Sequence, residues 1–94
     1  TRIVDLMPQS GADIIDIDWM VDMAAAASAF GTCAVVGNQD PVAVMLQGTP
    51  DQVRAAVRTC RQHGGPRWIS AAGCEIPDGT PHANLHAQSE VLAE

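Results

Sequence analysis

The sequence predicts an α/β fold in which short parallel strands alternate with helices. A helical apolar pattern leading into a short apolar run and then a polar loop occurs three times along the chain. Each helical stretch is long enough for a right-handed crossover between neighbouring parallel strands. Residues 33–37 are apolar without a break, which is typical of a strand covered on both faces of a parallel sheet.

The N-terminal part of the chain is predicted to form a helix, a strand and a second helix. The opening helix carries an apolar stripe and ends in the turn formers of residues 8–11. That stripe consists of Ile3, Val4, Leu6 and Met7. Residues 12–19 mix β-branched side chains with acids and are predicted as a strand, and a helix is expected over 21–30 that stops at Gly31. We expect Met20, Met23, Ala24 and Ala27 to lie on one face of this helix.

The next predicted helix has the clearest start signal in the chain. Thr49 is expected to cap it, with Pro50 at the first helical position and Gln52 completing a capping box. The glycines and proline of residues 64–66 are expected to end it. Its inner face is expected to hold Val53, Ala56, Val57 and Cys60, and its outer face Arg54, Arg58 and Arg61.

A terminal helix is predicted after the third strand. Thr80 and Pro81 repeat the Thr-Pro start of the preceding helix. Leu85 and Leu92 then lie on one side of a helix that reaches Glu94.

The third strand is predicted to begin near Arg67 and to run through residues 68–72. Three parallel strands leave two open edges, which a larger fold or a second copy of the chain must cover. A complete (β/α)8 barrel takes about 250 residues. A chain of 94 residues therefore corresponds to three βα units of such a barrel, with parallel strands and flanking helices.

Composition excludes several classes of function. The formal net charge is −6, with five arginines, no lysine and eleven acids, which argues against binding to nucleic acid or to an anionic membrane. No stretch approaches the roughly 20 apolar residues of a membrane span, and no signal segment is expected. Three cysteines without a Cys-x-x-Cys pair do not form a secreted disulfide framework, so a reducing cytoplasm is the expected location.

Cys74 is the main candidate for chemistry. It follows the third predicted strand, at the carboxyl end where α/β folds gather side chains from several loops around one cleft. Gly73 is expected to allow a close approach of backbone. Glu75 either orients a ligand or is an exposed loop carboxylate.

Other polar residues have both a functional and a structural interpretation. Asp16 and Asp18 are expected on the same side of their strand, where they line a pocket or are simply solvated. Asn38 and Asp40 are expected to brace their own loop through side-chain-to-backbone hydrogen bonds.

The remaining cysteines and histidines are interpreted structurally. Cys60 and Cys33 are expected in the core. His82 and His86 are spaced for one helix face but are expected to be solvated, and His63 suits the end of its helix.

Several motifs in order resemble the C-terminal part of the uroporphyrinogen decarboxylase superfamily over nearly the whole chain. They are Asp16-Ile17-Asp18-Trp19, Gly37-Asn38-Gln39-Asp40-Pro41-Val42, Gly48-Thr49-Pro50-Asp51-Gln52-Val53 and Gly73-Cys74-Glu75-Ile76-Pro77, followed by Thr80-Pro81 and Asn84-Leu85. The superfamily contains decarboxylases of porphyrin biosynthesis and zinc-dependent, corrinoid-linked methyltransferases such as methylcobalamin:coenzyme M methyltransferases. The resemblance implies that residues 1–94 form the C-terminal three βα units of a (β/α)8 TIM barrel.

The resemblance favours the methyltransferase branch, because Gly73-Cys74 stands where decarboxylases are expected to carry a His-Gly pair. It implies Cys74 as a zinc ligand and a substrate site near Asp18, Asn38, Gly73 and Glu75. It also implies methylcobalamin or a corrinoid protein as methyl carrier and a small thiol as acceptor. The other zinc ligands of that branch lie in a His-x-Cys motif before a helix resembling residues 1–6, so the chain is expected to be a fragment that is inactive alone.

Two alternatives remain open. The chain is part of a decarboxylase that needs no metal or cofactor, or it is a non-catalytic module that associates with another copy as a homo-oligomer. No catalytic residue is assigned under any of these hypotheses.

Overall fold

Three parallel strands alternate with three α-helices in the computed structural model, which describes residues 8–9, 11–31 and 33–94. In order, the elements are β1 (Ile14–Asp16), α1 (Met23–Phe30), β2 (Ala34–Val36), a short π-helix (Pro41–Leu46), α2 (Pro50–Gly64), a 3-10 turn (Gly65–Arg67), β3 (Trp68–Ile69) and α3 (His82–Leu92). The opening helix expected over residues 3–7 lies outside the described residues. The turn after it is present, because the Gly11 N–H donates to the Pro8 carbonyl at 3.4 Å.

The sheet has the order β1-β2-β3, and both pairings are parallel, as predicted. The strands are shorter than the predicted runs of residues 12–19, 33–37 and 68–72. Single hydrogen bonds continue the ladders beyond them, from the Ile17 N–H to the Val36 carbonyl and from the Gly37 N–H to the Ile69 carbonyl. The runs therefore follow strand directions, but their ends leave the regular ladder to form loops.

One face of the sheet is packed and the other is open. The register aligns Ile15, Val35 and Trp68 on the packed face. On the opposite face, Ile14 is 60% exposed and Ile69 is 44% exposed. The cover expected on both faces of residues 33–37 is complete only on the side of Val35 in the described part of the chain, because Ala34 and Val36 are half-buried.

Two apolar clusters form the core, and Trp68 packs against both. The first cluster lies under α1 and comprises Ile15, Ile17, Met23, Ala26, Phe30 and Val35. The second joins α2 to α3 and comprises Met45, Val53, Val57, Ala72, Ala87 and Val91. The Trp68 indole N–H donates to the Gly37 carbonyl at 2.7 Å. Gly64 leaves room for this indole, because a Cβ there would lie 2.6 Å from the ring.

Helix α1 lies where it was predicted and ends at Gly31, but of the four residues expected to share one apolar face only Met23 is buried. Met23, Ala26 and Phe30 are buried, whereas Met20 is 71% exposed. Asp22 caps the helix by accepting a hydrogen bond from the Ala25 N–H at 3.3 Å, so the helix begins after Met20. The run of alanines carries no pattern that distinguishes one face from another.

Helix α2 matches the prediction closely. The Gln52 N–H donates to Thr49 Oγ1 at 3.2 Å, and the Thr49 N–H donates to Gln52 Oε1 at 2.8 Å, which completes the capping box. Val53, Val57 and Cys60 are buried, and Ala56 is half-buried. The three arginines lie outside the core, as predicted, and reach across to the C-terminal end of α3.

The π-helix Pro41–Leu46 was not predicted. Asp40 Oδ1 starts it by accepting hydrogen bonds from the N–H groups of Val42 at 2.9 Å and Ala43 at 3.0 Å. This bracing role of Asp40 was expected, although the helix that it caps was not. Met45 then enters the second cluster fully buried.

Helix α3 starts later than expected, and its buried side is not the side of the leucines. Thr80 does not cap it, because its hydroxyl donates to the Pro77 carbonyl at 2.8 Å and the helix begins at His82. Leu85 and Leu92 are exposed, and the buried positions are Asn84, Ala87 and Val91. A polar residue takes the inner position because its amide meets buried carbonyl groups. Among the described helices, none is long and apolar enough to cross a membrane.

Candidate functional site

The carboxyl ends of the three strands bring the predicted site residues to one edge of the sheet. Asp18 follows β1, Asn38 follows β2, and residues 73–75 follow β3. Because the strands are parallel, these segments emerge at the same edge. The predicted substrate and metal residues therefore belong to three adjoining loops.

The loops after β2 and β3 are tied together at Gly73. The Gly73 N–H donates to the Gln39 carbonyl at 2.9 Å, and Gln39 forms an isolated parallel bridge with Ala72. Gly73 also lies against the loop after β1, since a Cβ at this position would lie 2.5 Å from Trp19 Cα and 2.6 Å from Trp19 Cβ. The close backbone approach predicted for Gly73 is confirmed, and its neighbour is Trp19.

Asn38 ties the loop after β2 to the loop after β1. Its amide nitrogen donates to the Asp18 carbonyl at 3.1 Å and to the Val21 carbonyl at 2.6 Å. Its amide oxygen accepts a weak hydrogen bond from Cys60 Sγ at 3.6 Å. Asn38 is only 7% exposed, so this network is shielded from water. The expected side-chain-to-backbone bonds exist, but they brace the neighbouring loop rather than its own.

Several side chains on this edge are open to solvent. Asp18, Cys74 and Glu75 are exposed. Asp18 Oδ1 accepts a hydrogen bond from the Met20 N–H at 3.3 Å, so this carboxylate also stabilises its own loop. Trp19 is 45% exposed beside Gly73, which places an aromatic ring on the same rim.

The three cysteines differ in accessibility, and all are free thiols. Cys60 is buried as predicted, and burial raises the pKa of its thiol, partly offset by the hydrogen bond with Asn38. Cys33 is half-buried beside the first cluster and its thiol donates to the Ala12 carbonyl at 3.2 Å. Cys74 is the exposed thiol of the three, and it lies at the carboxyl edge of the sheet.

The described residues contain no group of three histidine, cysteine or acidic side chains that could hold a metal ion. His82 and His86 are both exposed near the start of α3. A catalytic zinc site takes three protein ligands plus a water or substrate. The described part of the chain therefore does not by itself supply a complete catalytic zinc site of this kind.

Two buried amides were missed by sequence reasoning. Asn84 donates from its amide nitrogen to the carbonyls of Met45 at 2.8 Å and Gly48 at 2.9 Å. Gln39 lies at the strand end with its amide nitrogen 3.6 Å from Met45 Sδ. The amide oxygens of both residues are buried without a hydrogen-bond partner in the described structure. A polar residue in the inner phase of a helix is a signal that identifies Asn84, whereas a glutamine among turn formers gives no such signal.

The family model for uroporphyrinogen decarboxylase matches residues 1–94. The chain is 38% identical over 90 residues to the methylcobamide:CoM methyltransferase MtbA of Methanosarcina mazei, which covers 96% of the chain and 26% of that protein. It is 34% identical over 93 residues to the uroporphyrinogen decarboxylase of Synechococcus sp. strain JA-2-3B'a(2-13), covering 98% of the chain and 26% of that enzyme. The chain thus spans about a quarter of the length of these relatives.

A solved structure confirms the fold. A methyltransferase from Methanosarcina mazei superposes with a TM-score of 0.83 at 24% sequence identity, over 95% of this chain and 26% of that one. The three parallel strands with flanking helices therefore correspond to part of a larger barrel-type enzyme fold. On the family match over residues 1–94 and on relatives that are 38% and 34% identical, the chain belongs to the uroporphyrinogen decarboxylase family.

Proposed function

We propose that this chain is the C-terminal part of a zinc-dependent, corrinoid-linked methyltransferase and that Cys74 is one of its zinc ligands. The observation that carries the proposal is the location of Cys74. It is an exposed thiol at the carboxyl edge of the sheet, directly after the glycine on which the three loops converge. The methyltransferase from Methanosarcina mazei among the relatives supports this branch of the family.

The residues of this chain have distinct proposed roles. Bound zinc would hold a small thiol substrate as its thiolate, a nucleophile able to accept a methyl group at neutral pH. Cys74 supplies one ligand, and Gly73 holds its backbone against Trp19. The exposed carboxylates of Asp18 and Glu75 would orient the substrate. Other ligands and the corrinoid partner or methylcobalamin are expected to meet the parts of the barrel beyond these residues.

The three free thiols fit a reducing compartment, and we place the protein in the cytoplasm.

A decarboxylase is the second candidate. Relatives of this kind are as similar as the methyltransferase: one from Synechococcus sp. strain CC9902 is 40% identical over 84 residues, covering 87% of the chain and 23% of the enzyme. In this case the same edge would bind uroporphyrinogen without a metal, and Cys74 would be an exposed loop residue. Overall identity does not separate the two, so the chemistry of Cys74 must.

The test is the zinc content of the full-length protein that contains this chain. We expect stoichiometric zinc in the purified protein and its loss in Cys74→Ala, because an exposed thiolate ligand would be removed without disturbing the core. Cys33→Ala is the matched control, since this half-buried thiol bonds to a backbone carbonyl and is expected to leave the zinc in place.

Activity assays distinguish the two candidates. Methyl transfer from methylcobalamin to a small thiol, abolished by Cys74→Ala, supports the methyltransferase. If the protein contains no zinc, and if the wild type and Cys74→Ala decarboxylate uroporphyrinogen at the same rate, the methyltransferase proposal is contradicted and the decarboxylase is established.

A further inference from the structure

Asn38 follows β2 and makes three side-chain hydrogen bonds. The side-chain amide nitrogen of Asn38 donates to two backbone carbonyls, and the side-chain oxygen accepts a hydrogen bond from Cys60 Sγ. The orientation of the amide follows from its surroundings, since only the nitrogen can donate to two carbonyl oxygens. Asn38 is also buried, so water does not compete readily for these bonds.

Two routes lead from residue 38 to Gly73. The first passes through the loop after β1, because Asn38 bonds to the carbonyls of Asp18 and Val21 on either side of Trp19. Trp19 in turn lies in close contact with Gly73. The second passes through the next residue along the chain, since the Gln39 carbonyl accepts from the Gly73 N–H at 2.9 Å.

We propose that Asn38 is a positioning residue for Cys74, and that it sets the place of the thiol through Trp19 and Gly73. Gly73 is the point where both routes meet, and it immediately precedes Cys74 in the chain. The use of this position in metal binding rests on the proposed function, whereas the positioning itself is a property of the fold.

Asn84 provides a matched control for Asn38. Both are buried asparagines whose amide nitrogen donates to two backbone carbonyls. Asn84 fixes the carbonyls of Met45 and Gly48, which lie off the route through Trp19 and meet the second route only through the contact of Gln39 Nε2 with Met45 Sδ at 3.6 Å. Asn38→Asp and Asn84→Asp make the same isosteric change, which replaces a donor with an acceptor facing two carbonyl oxygens.

The experiment measures the rate at which iodoacetamide alkylates each cysteine of the full-length protein, with peptides quantified by mass spectrometry. It is carried out with and without a chelator, so the result does not depend on whether Cys74 holds zinc. We expect Asn38→Asp to change the Cys74 rate constant on the order of tenfold, since thiol reactivity follows access and local charge. Asn84→Asp is expected to leave that rate at the wild-type value although it lowers Tm by a similar amount.

An unchanged Cys74 rate in Asn38→Asp, or an equal change in Asn84→Asp, would overturn the proposal. If Asn38→Asp does not fold, Gly73→Ala gives the same test from the other end of the contact route. Gly73 has no positive φ, so the added Cβ acts only through its overlap with Trp19. A wild-type Cys74 rate in Gly73→Ala then overturns the proposal. Zinc content measured on the same samples tests the proposed function separately.

Discussion

Asn84 shows how one side chain determines the position of a neighbouring segment. It is 1% exposed, and its two N–H bonds satisfy the carbonyl groups of Met45 and Gly48. Unpaired backbone groups in the interior are costly, so these carbonyls would otherwise oppose burial of the segment. The amide therefore connects α3 to the π-helix in a way that apolar packing alone would not specify.

We expect Asn84→Ala to lower the free energy of unfolding by about 2–4 kcal/mol, because it leaves two buried carbonyls without donors. Urea denaturation of the full-length protein measures this change. Ser89→Ala, an exposed position on the same helix, is the control and is expected to stay within about 0.5 kcal/mol of the wild type. Equal stability of the two variants would show that these hydrogen bonds contribute little.

At the residue scale, the sequence predicted where the candidate site residues lie in the fold better than it predicted which residues they contact. It placed Cys74, Gly73 and Asn38 correctly at the strand ends, because parallel strands emerge at one edge. It did not predict that Asn38 bonds across to the preceding loop or that Trp19 lies against Gly73. Such contacts depend on the distance between loops, which local sequence patterns do not encode.

At the scale of elements, α2 and α3 are joined by ion pairs along their exposed sides. Arg54 contacts Glu90 at 2.9 Å, and Arg58 contacts Glu94 at 2.5 Å. Arg61 also reaches Glu94 at 3.3 Å and donates to the Val91 carbonyl at 3.0 Å. The outer arginines of α2 thus have a structural partner that amphipathic pattern alone does not reveal.

These contacts give the α2–α3 pair a defined dependence on pH. Hydrogen bonding from Arg58, with a further contribution from Arg61, lowers the pKa of the Glu94 carboxyl from 4.5 to about 2. Since the pKa is depressed in the folded state, the stabilisation is complete above a pH of about 4.5 and is lost as pH falls towards about 2. The pair is exposed, so the effect is small and weakens in high salt.

Glu94→Gln tests this dependence by urea denaturation across that pH range. The variant is expected to be less stable than the wild type at neutral pH, and the difference is expected to vanish as pH approaches 2. Asp78→Asn changes an exposed loop acid that forms no ion pair with the described residues, and it is expected to show no such convergence. A constant difference at every pH would contradict the interpretation.

The quality of sequence prediction varied among the elements for physical reasons. Helix α2 was predicted well because its capping box and its apolar spacing agree. The residues expected on one face of α1 did not identify its inner face, because alanine occupies most of its positions. The leucines of α3 did not identify its inner face, because buried hydrogen bonds determine which side faces inward.

At the scale of the whole molecule, the open face of the sheet is the dominant feature. Ile14 and Ile69 are exposed on it, and β1 and β3 form its edges. The chain spans about a quarter of the length of its relatives, and it covers 26% of the chain in the matching structure. In a closed barrel this face would line the interior and both edges would be paired.

The isolated 94-residue chain is therefore expected to self-associate and to elute above its monomer mass of 9.9 kDa on gel filtration. Replacing Ile14 and Ile69 together by glutamate is expected to reduce association, since it places charge on the open face. Leu85→Glu and Leu92→Glu, made together on the exposed side of α3, are the control pair and are expected to have little effect. A monomeric wild-type chain would show that the open face is tolerated in water.

Trp68 lies between the two apolar clusters, and this position affects how the chain unfolds. Because its indole packs against both and bonds to the Gly37 carbonyl, loosening either cluster removes contacts from the other. We therefore expect the two clusters to be coupled in unfolding, so that the described chain melts as one cooperative unit rather than as two independent halves.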